Sequence, residues 1–348
     1  MKTIPKTMSA VILKKNGAYE ELEYVNNYQT PIPKENEVLI EIKAAAINNT
    51  DINTRIGWYS KNDNNATDAS WGGEALKFPL IQGADVCGYI VQVGENIARL
   101  RIGQRVLIEP SLQYINGEKQ ENPSYFGSEC DGGFAQFVIV SNEHAHEINS
   151  EYSDIELASF PCSYSTALNL LTRAKVNQND IVLVSGASGG VGSAVIQLAH
   201  ARGAKVIAIS KESKFEEIKA LGASLVLCRE DDLIKILGKN SLTVVIDLVA
   251  GPSWKDFLEV LKPFGRYAVS GAIAGPLVEL DIRTLYLKDL SFFGCTILQK
   301  EVFPNLIKHI EEKQIKPLVA KIYSLENIVE AQKEFLKKNH IGKIVLKI

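Results

Sequence analysis

A run of glycines sits between a strand-like and a helix-like segment. Ile181-Val-Leu-Val-Ser-Gly-Ala-Ser-Gly-Gly-Val-Gly192 leads into an apolar stretch that begins at Ser193. An apolar strand entering a turn with Gly186, Gly189, Gly190 and Gly192, and a helix leaving it, suits a pyrophosphate. The chain must bend sharply, let the anion approach the backbone and offer it the amides of a helix N-terminus. The strict G-x-G-x-x-G pattern is broken at Ala187, and tight β–α turns also use glycine for purely conformational reasons. The flanking strand, the helix and a second βα unit are what carry the dinucleotide reading. Ser188, Gly189, Gly190, Val191 and Gly192 are the expected contacts.

The next strand bears on which nicotinamide cofactor would fit. A carboxylate at its end would hydrogen-bond a ribose 2′-OH and repel a 2′-phosphate. Here Val206–Ile209 runs into Ser210-Lys211, with Lys214 one turn later. A hydroxyl and two ammonium groups suit a phosphate, which favours NADPH over NADH. The alternative is that both lysines are solvated charges at a helix start, with Glu212 offsetting them.

Metal chemistry has less to stand on. The chain has 5 Cys and 5 His. Cys87, Cys130, Cys162, Cys228 and Cys295 are far apart and form no C-x-x-C pair, which argues against a disulfide framework and a thiolate zinc cluster. His144-x-His146 would place both rings on one face of a strand, but no third ligand lies nearby in sequence. A surface loop after Val140 is the expectation there.

These residues need elements to position them. From about residue 155 onward, apolar β runs alternate with helical patterns: Ile181–Ser185, Val191–Arg202, Lys205–Ser210, Glu212–Leu221, Leu225–Cys228, Thr243–Leu248 and Arg266–Ser270. Continuous apolar strands each followed by a helix predict βαβ units and a parallel sheet buried on both faces. The first half reads as short strands at Val38–Ala44, Cys87–Gly94, Gln104–Ile108 and Phe134–Val140. Between them, Ser60–Gly73 and Pro110–Asp131 read as long polar loops. A helix over Val302–Lys313 precedes a closing strand at Ile341–Ile348.

Composition bounds the rest. The chain has 348 residues, 46% hydrophobic and 23% charged, with 38 basic against 41 acidic side chains. That length suggests two domains with proper cores and argues against wholesale disorder. A net charge of −3 offers no electrostatic footprint for nucleic acid or an anionic membrane. Without an apolar run after Lys2 and Lys6, or any 18-residue apolar segment, a cytoplasmic protein with no membrane partner is the simplest reading.

Over essentially its whole length the chain resembles the medium-chain dehydrogenase/reductase superfamily. The motifs are "AAAINNTDINTRIGWY" at 44–59, "PLIQGADVCGYIVQVGENI" at 79–97, "GQRVL" at 103–107, "CDGGFAQFVIV" at 130–140, "PCSYSTALNLL" at 161–171, "GASGGVG" and the closing "GKIVL". The resemblance implies an α/β protein: a GroES-like β-rich catalytic domain (1–155), a Rossmann NAD(P)-binding domain (156–297) and a C-terminal segment (298–348) returning to the catalytic domain. Where the zinc alcohol dehydrogenases of the family place Cys-His, this chain has Asn48-Asn49. Where they place the His of Gly-His-Glu, it has Gly83-Ala84-Asp85, and only Cys162 matches a ligand position. One thiolate cannot hold a catalytic zinc, so no metal is expected. The alternative is a site rebuilt from Cys162, Asp51 and Asp85.

Asn48-x-x-Asp51 and Arg55-x-Gly-x-Tyr59 resemble the zinc-free quinone and enone reductases. Without a metal to polarise a carbonyl, hydride transfer is easiest to an electron-poor acceptor such as a quinone or an α,β-unsaturated carbonyl. The resemblance then nominates Tyr59 as proton donor, Asn48 as amide donor and Thr50 as hydroxyl relay. Each has a bland alternative: a packing aromatic, a turn Asn and a helix-capping Thr. Asp51 is read as scaffolding. On the cofactor side, Thr166, Val249, Gly271, Ala272 and Lys343 join the glycine turn and Ser210, Lys211 and Lys214. The apolar run Leu290–Ile297 resembles strands that pair across a dimer two-fold, so a homodimer is expected. Two other functions compete: an alcohol or aldehyde dehydrogenase of the zinc type, and an NADPH-binding sensor or crystallin-like protein with little turnover.

Overall fold

The computed structural model describes residues 3–60, 70–72 and 75–348. Parts of the 60–77 insertion therefore lie outside the described residues. The chain forms two compact units, one made of Met1–Cys162 with Pro317–Ile348 and the other of Ser163–Lys316. The nucleotide unit thus extends past Val302–Glu311, a helix that the sequence reading assigned to the returning segment.

The first unit is built on a seven-stranded sheet. Its path runs Ala145–Glu147, Arg105–Ile108, Asp85–Val93, Glu37–Ala46, Lys343–Lys347, Val319–Ser324, with Phe137–Ser141 also pairing against Glu37–Ala46. The closing strand pairs antiparallel to Glu37–Ala46, with Val345 opposite Ala46. That pairing brings Lys343 to the segment leading into Asn48. Val38, Ile40, Ile42, Val86, Ile90 and Val106 form one core cluster, and Leu39, Ala45, Ile47, Phe134, Ile344 and Leu346 belong to another. Alternate residues of Glu37–Ala46 thus feed opposite faces, as the two-residue period of a strand requires.

The 110–131 stretch is not the long loop expected. Ser111–Ile115 and Glu118–Tyr125 form an antiparallel hairpin, with Ile115 opposite Glu118. Its two turn residues are Asn116 at φ 48 and Gly117 at φ 81. Asn-Gly is the favoured pair for a turn with positive φ at both central residues, and the polar strand Glu118–Tyr125 concealed it. His144 and His146 also differ from expectation. His144 is buried, and both rings approach Glu109 Oε2, at 3.3 and 3.2 Å. His144 Nε2 already accepts from the amides of Gln113 and Tyr114, each at 3.0 Å, so His144 stitches the hairpin to the sheet.

The second unit holds six parallel strands: β1 (Ile181–Val184), β2 (Lys205–Ile209), β3 (Leu225–Leu227), β4 (Leu242–Asp247), β5 (Leu261–Val269) and β6 (Ser291–Gly294). Their order is β3-β2-β1-β4-β5-β6, the doubly wound arrangement in which a dinucleotide binds where the order reverses beside β1. Val182, Leu183, Val184, Val244, Val245 and Ile246 are fully buried, which is why the sequence there is unbroken apolar rather than alternating.

Candidate active site

The eight-residue helix Asn49–Ile56 anchors the catalytic-domain candidates. Asn48 is its N-cap residue, and Asp51 Oδ2 accepts the Asn48 backbone N–H at 2.7 Å. The helix ends at Gly57, whose φ of 70 is left-handed. That turn folds Tyr59 back along the helix, and its hydroxyl donates to Thr50 Oγ1 at 3.1 Å. Tyr59 and Thr50 are therefore brought together, and Thr50 is a hydrogen-bond partner within the helix rather than its cap. Burial raises the Tyr59 pKa, opposed by the hydrogen bonds to Thr50 and Asn53. The proton is held by a phenol that stays neutral at ordinary pH.

Asn48 is engaged on all sides. Its Nδ2 donates to Asp85 Oδ2 at 2.9 Å and to the Ala46 carbonyl at 3.3 Å. Its Oδ1 accepts from Lys343 Nζ. An amide nitrogen has two hydrogens, so this arrangement leaves no side-chain donor for a substrate oxygen. Lys343 Nζ also lies 2.7 Å from Asp85 Oδ2, and Asp85 Oδ1 accepts the Cys162 backbone N–H at 2.6 Å. Asn48, Asp85 and Lys343 are all buried. The resemblance puts Lys343 among the cofactor contacts, and here its ammonium is engaged by Asp85 and Asn48. Burial pushes the Asp51 carboxyl up to about 7, against the Asn48 amide and the Lys343 charge, which lower it.

Cys162 sits in an apolar cluster with Ala84 and Tyr125, and Trp71 packs against it. The Tyr125 hydroxyl lies 3.1 Å from Cys162 Sγ, and the Trp71 and Tyr125 rings are 5.1 Å apart. Glu129 fastens this aromatic pair, accepting from the Gly72 amide at 2.6 Å and the Tyr125 amide at 2.7 Å. Burial pushes the Cys162 thiol up to about 12, away from the thiolate that binds metal. A zinc does not fit this donor set. Of the three ligand positions, Asn48 is tied to Asp85, Ala46 and Lys343, and Ala84 is a hydrocarbon. Cys162 is held neutral, and Asp85 is already paired with an ammonium. The sequence reading missed Tyr125 and Glu129, which lie on the concealed hairpin and just beyond it. Recognising the Asn116-Gly117 turn would have flagged both strands.

In the second unit, the helix Gly190–Ala201 starts from Gly189, directly after the glycine turn. A Cβ on Gly192 would lie 2.3 Å from the Gly186 carbonyl oxygen, so only glycine lets the helix pack this close to the turn. A Cβ on Gly189 would meet nothing nearer than 3.5 Å, which leaves the turn open on the side where an anion would approach. Ser188 Oγ accepts from Lys214 Nζ at 3.3 Å, joining the turn to the segment after β2. Ser210 Oγ is buried with no hydrogen-bond partner among the described residues, the kind of orphan a ligand oxygen satisfies. Burial lowers the Lys214 pKa, and the like charges of Lys211 and Arg229 lower it further. An anion among these three cations would relieve that repulsion. Arg229 has no sequence motif to announce it and enters through the fold, just after β3. Val249, Gly271 and Ala272 follow β4 and β5, and Thr166 is half-buried on the helix Pro161–Arg173. The glycine turn, the Ser210 hydroxyl and the cations around Lys214 are groups that could hold a nicotinamide dinucleotide.

The alcohol dehydrogenase GroES-like domain family matches residues 34–150, and the zinc-binding dehydrogenase family matches residues 190–312. Acryloyl-coenzyme A reductase of Sulfurisphaera tokodaii is 30% identical over 329 residues, 91% of this chain and 94% of that protein. Quinone oxidoreductase of Sus scrofa is 27% identical over 360 residues, 99% of each. A solved structure from Sinorhizobium meliloti 1021, assigned as an alcohol dehydrogenase, superposes with a TM-score of 0.92 at 42% identity, covering 99% of this chain and 97% of that one.

Proposed function

This chain belongs to the medium-chain dehydrogenase/reductase superfamily of oxidoreductases, and from that premise we propose an NADPH-dependent, zinc-free reductase of quinones or α,β-unsaturated carbonyl compounds. The observation that carries the reading is the metal's place in the fold. Its three ligand positions hold a tethered amide, a methyl group and a neutral thiol packed against Tyr125. With no Lewis acid to activate a simple alcohol, the acceptor must itself be electron-poor. An acryloyl group, in the relative's name, is such an acceptor, and a quinone is another.

Bound NADPH supplies the hydride. In this reading the chain's residues do the rest. Ser210, Lys211 and Lys214 take the 2′-phosphate, and Ser188, Gly189, Gly190, Val191 and Gly192 meet the pyrophosphate. Thr166, Val249, Gly271 and Ala272 complete the cofactor contacts, while Lys343 serves as the counter-ion of Asp85. Hydride arriving at the conjugated carbon leaves charge on the carbonyl oxygen. The Tyr59 hydroxyl, poised against Thr50 Oγ1, donates a hydrogen bond to that oxygen and then its proton. Asn48, with its amide hydrogens engaged, holds the start of the helix that carries Thr50.

A cytoplasmic homodimer is part of the same proposal. No helix among the described residues is long and apolar enough to cross a membrane. The edge strand β6 ends the sheet, and Leu277 and Leu287 are 92% and 70% exposed in the same unit. An unpaired edge with apolar neighbours suits pairing with a second copy.

NADPH oxidation over a panel of quinones, enones and aldehydes tests the function, together with metal analysis of protein purified without chelator. Saturable turnover of quinones or enones with no stoichiometric zinc is expected. Zinc-dependent aldehyde reduction would instead establish the alcohol dehydrogenase alternative, and no turnover with any acceptor the sensor alternative.

A further inference from the structure

The segments that follow β1 and β4 and the strand β5 itself meet at one buried carboxylate. Asp247, the last residue of β4, is fully buried. Its Oδ1 accepts from Ser185 Oγ and from the backbone amides of Val249 and Ala250, at 2.9 and 3.0 Å. Its Oδ2 accepts from the Tyr267 hydroxyl of β5 at 2.6 Å. Ser185 in turn accepts the Leu248 amide at 2.8 Å, and it immediately precedes the glycine turn. The loop so held is tight. Ala250 has a positive φ of 54, a conformation a non-glycine residue keeps only when its surroundings impose it. Val249 Cγ2 would lie 3.0 Å from a Cβ on Gly186, and the Leu248 carbonyl oxygen 2.7 Å from one on Gly271.

A dinucleotide in a doubly wound sheet straddles the switch point, with its pyrophosphate at the turn after the first strand. Ser210, Lys211 and Lys214 follow β2 on one side of β1 and would hold the adenosine half. The nicotinamide half then falls over the ends of β4 and β5, on the other side. We propose that Asp247 is a positioning residue for the nicotinamide half of the cofactor site: it locks the Val249–Ala250 loop to the glycine turn without touching the cofactor. The inference rests on the dinucleotide reading above and deepens it.

Because the lock lies on one side of β1 only, its loss should be felt by half of the ligand. NADPH and 2′,5′-ADP, which has the adenosine half alone, are titrated against the full chain and its variants. Asp247→Ala should weaken NADPH by about tenfold or more, as expected for freeing several hydrogen-bonded groups, and leave 2′,5′-ADP within about twofold. Asp247→Asn, whose Oδ1 still accepts from the loop amides, should restore NADPH binding towards wild type. Should Asp247→Ala fail to fold, Ser185→Ala cuts the tie between turn and loop and should give a smaller loss with the same selectivity. Equal weakening of both ligands would make Asp247 a general structural residue and overturn the proposal, as would no weakening of either. A wild-type chain that binds neither ligand would refute the NADPH reading itself.

Discussion

Replacing Lys343 by Met removes the cation from a buried cluster and keeps much of its length and volume. Asp85 is fully buried, and its Oδ2 would lose the ammonium at 2.7 Å. Two donors would remain, the Asn48 amide at 2.9 Å and the Cys162 backbone N–H at 2.6 Å. Breaking a buried pair from one side leaves an uncompensated charge, which costs about 3–5 kcal/mol. The two remaining hydrogen bonds to the carboxylate place this case near the lower end, about 3 kcal/mol. Asp85→Asn strands the ammonium and should cost about as much. The double variant Asp85→Asn/Lys343→Met removes both partners of the pair and should return to within about 1 kcal/mol of wild type. Urea unfolding of all four proteins at pH 7 completes the cycle, with unchanged slopes required for the comparison. Additive losses in the double variant would refute the coupling, and with it the picture of Lys343 as the counter-ion that keeps Asn48 and Asp85 in place.

Three further outcomes follow from the same geometry. Tyr59→Phe should lower kcat by about 100-fold or more, the contribution of a positioned proton donor, with little change in the Kd for NADPH, and a kcat within a fewfold of wild type would remove Tyr59 from the chemistry. Lys214→Ala should weaken NADPH by about tenfold, the worth of roughly one charge-assisted hydrogen bond, while NADH is unaffected; equal losses for both cofactors would refute the phosphate role. The Asp51 carboxyl is raised from 3.8 to about 7 in the folded state, so over that interval the folded chain holds a proton that the unfolded chain has released. Stability from this group therefore falls as pH rises from about 4 to about 7 and is level outside that window. Asp51→Asn, still able to accept from the Asn48 amide, should flatten the profile, and an unchanged slope in denaturant unfolding would contradict the assignment.

The amino-acid sequence alone determined the family, the parallel sheet and the glycine turn between its first strand and helix. Each of these depends on local pattern: unbroken apolar strands, glycines at spacings where a Cβ cannot fit, and missing ligand types at Asn48 and Ala84. It also nominated Tyr59 and Thr50, which lie close enough in the chain for one helix and one left-handed glycine to join them. What the sequence could not disclose is carried by contacts between distant segments. Lys343 and Asn48 are 295 residues apart, and only the pairing of the last strand with Glu37–Ala46 turns a family cofactor residue into a buried counter-ion. Trp71, Tyr125 and Cys162 come from three separate segments, and Glu129 joins two of those segments through the amides of Gly72 and Tyr125. Asp247 reads as an ordinary strand end until Ser185 and Tyr267 reach it from neighbouring strands. Periodicity and propensity report the environment of a residue along its own element, whereas a polar cluster is defined by strand register and burial, which only the tertiary structure decides.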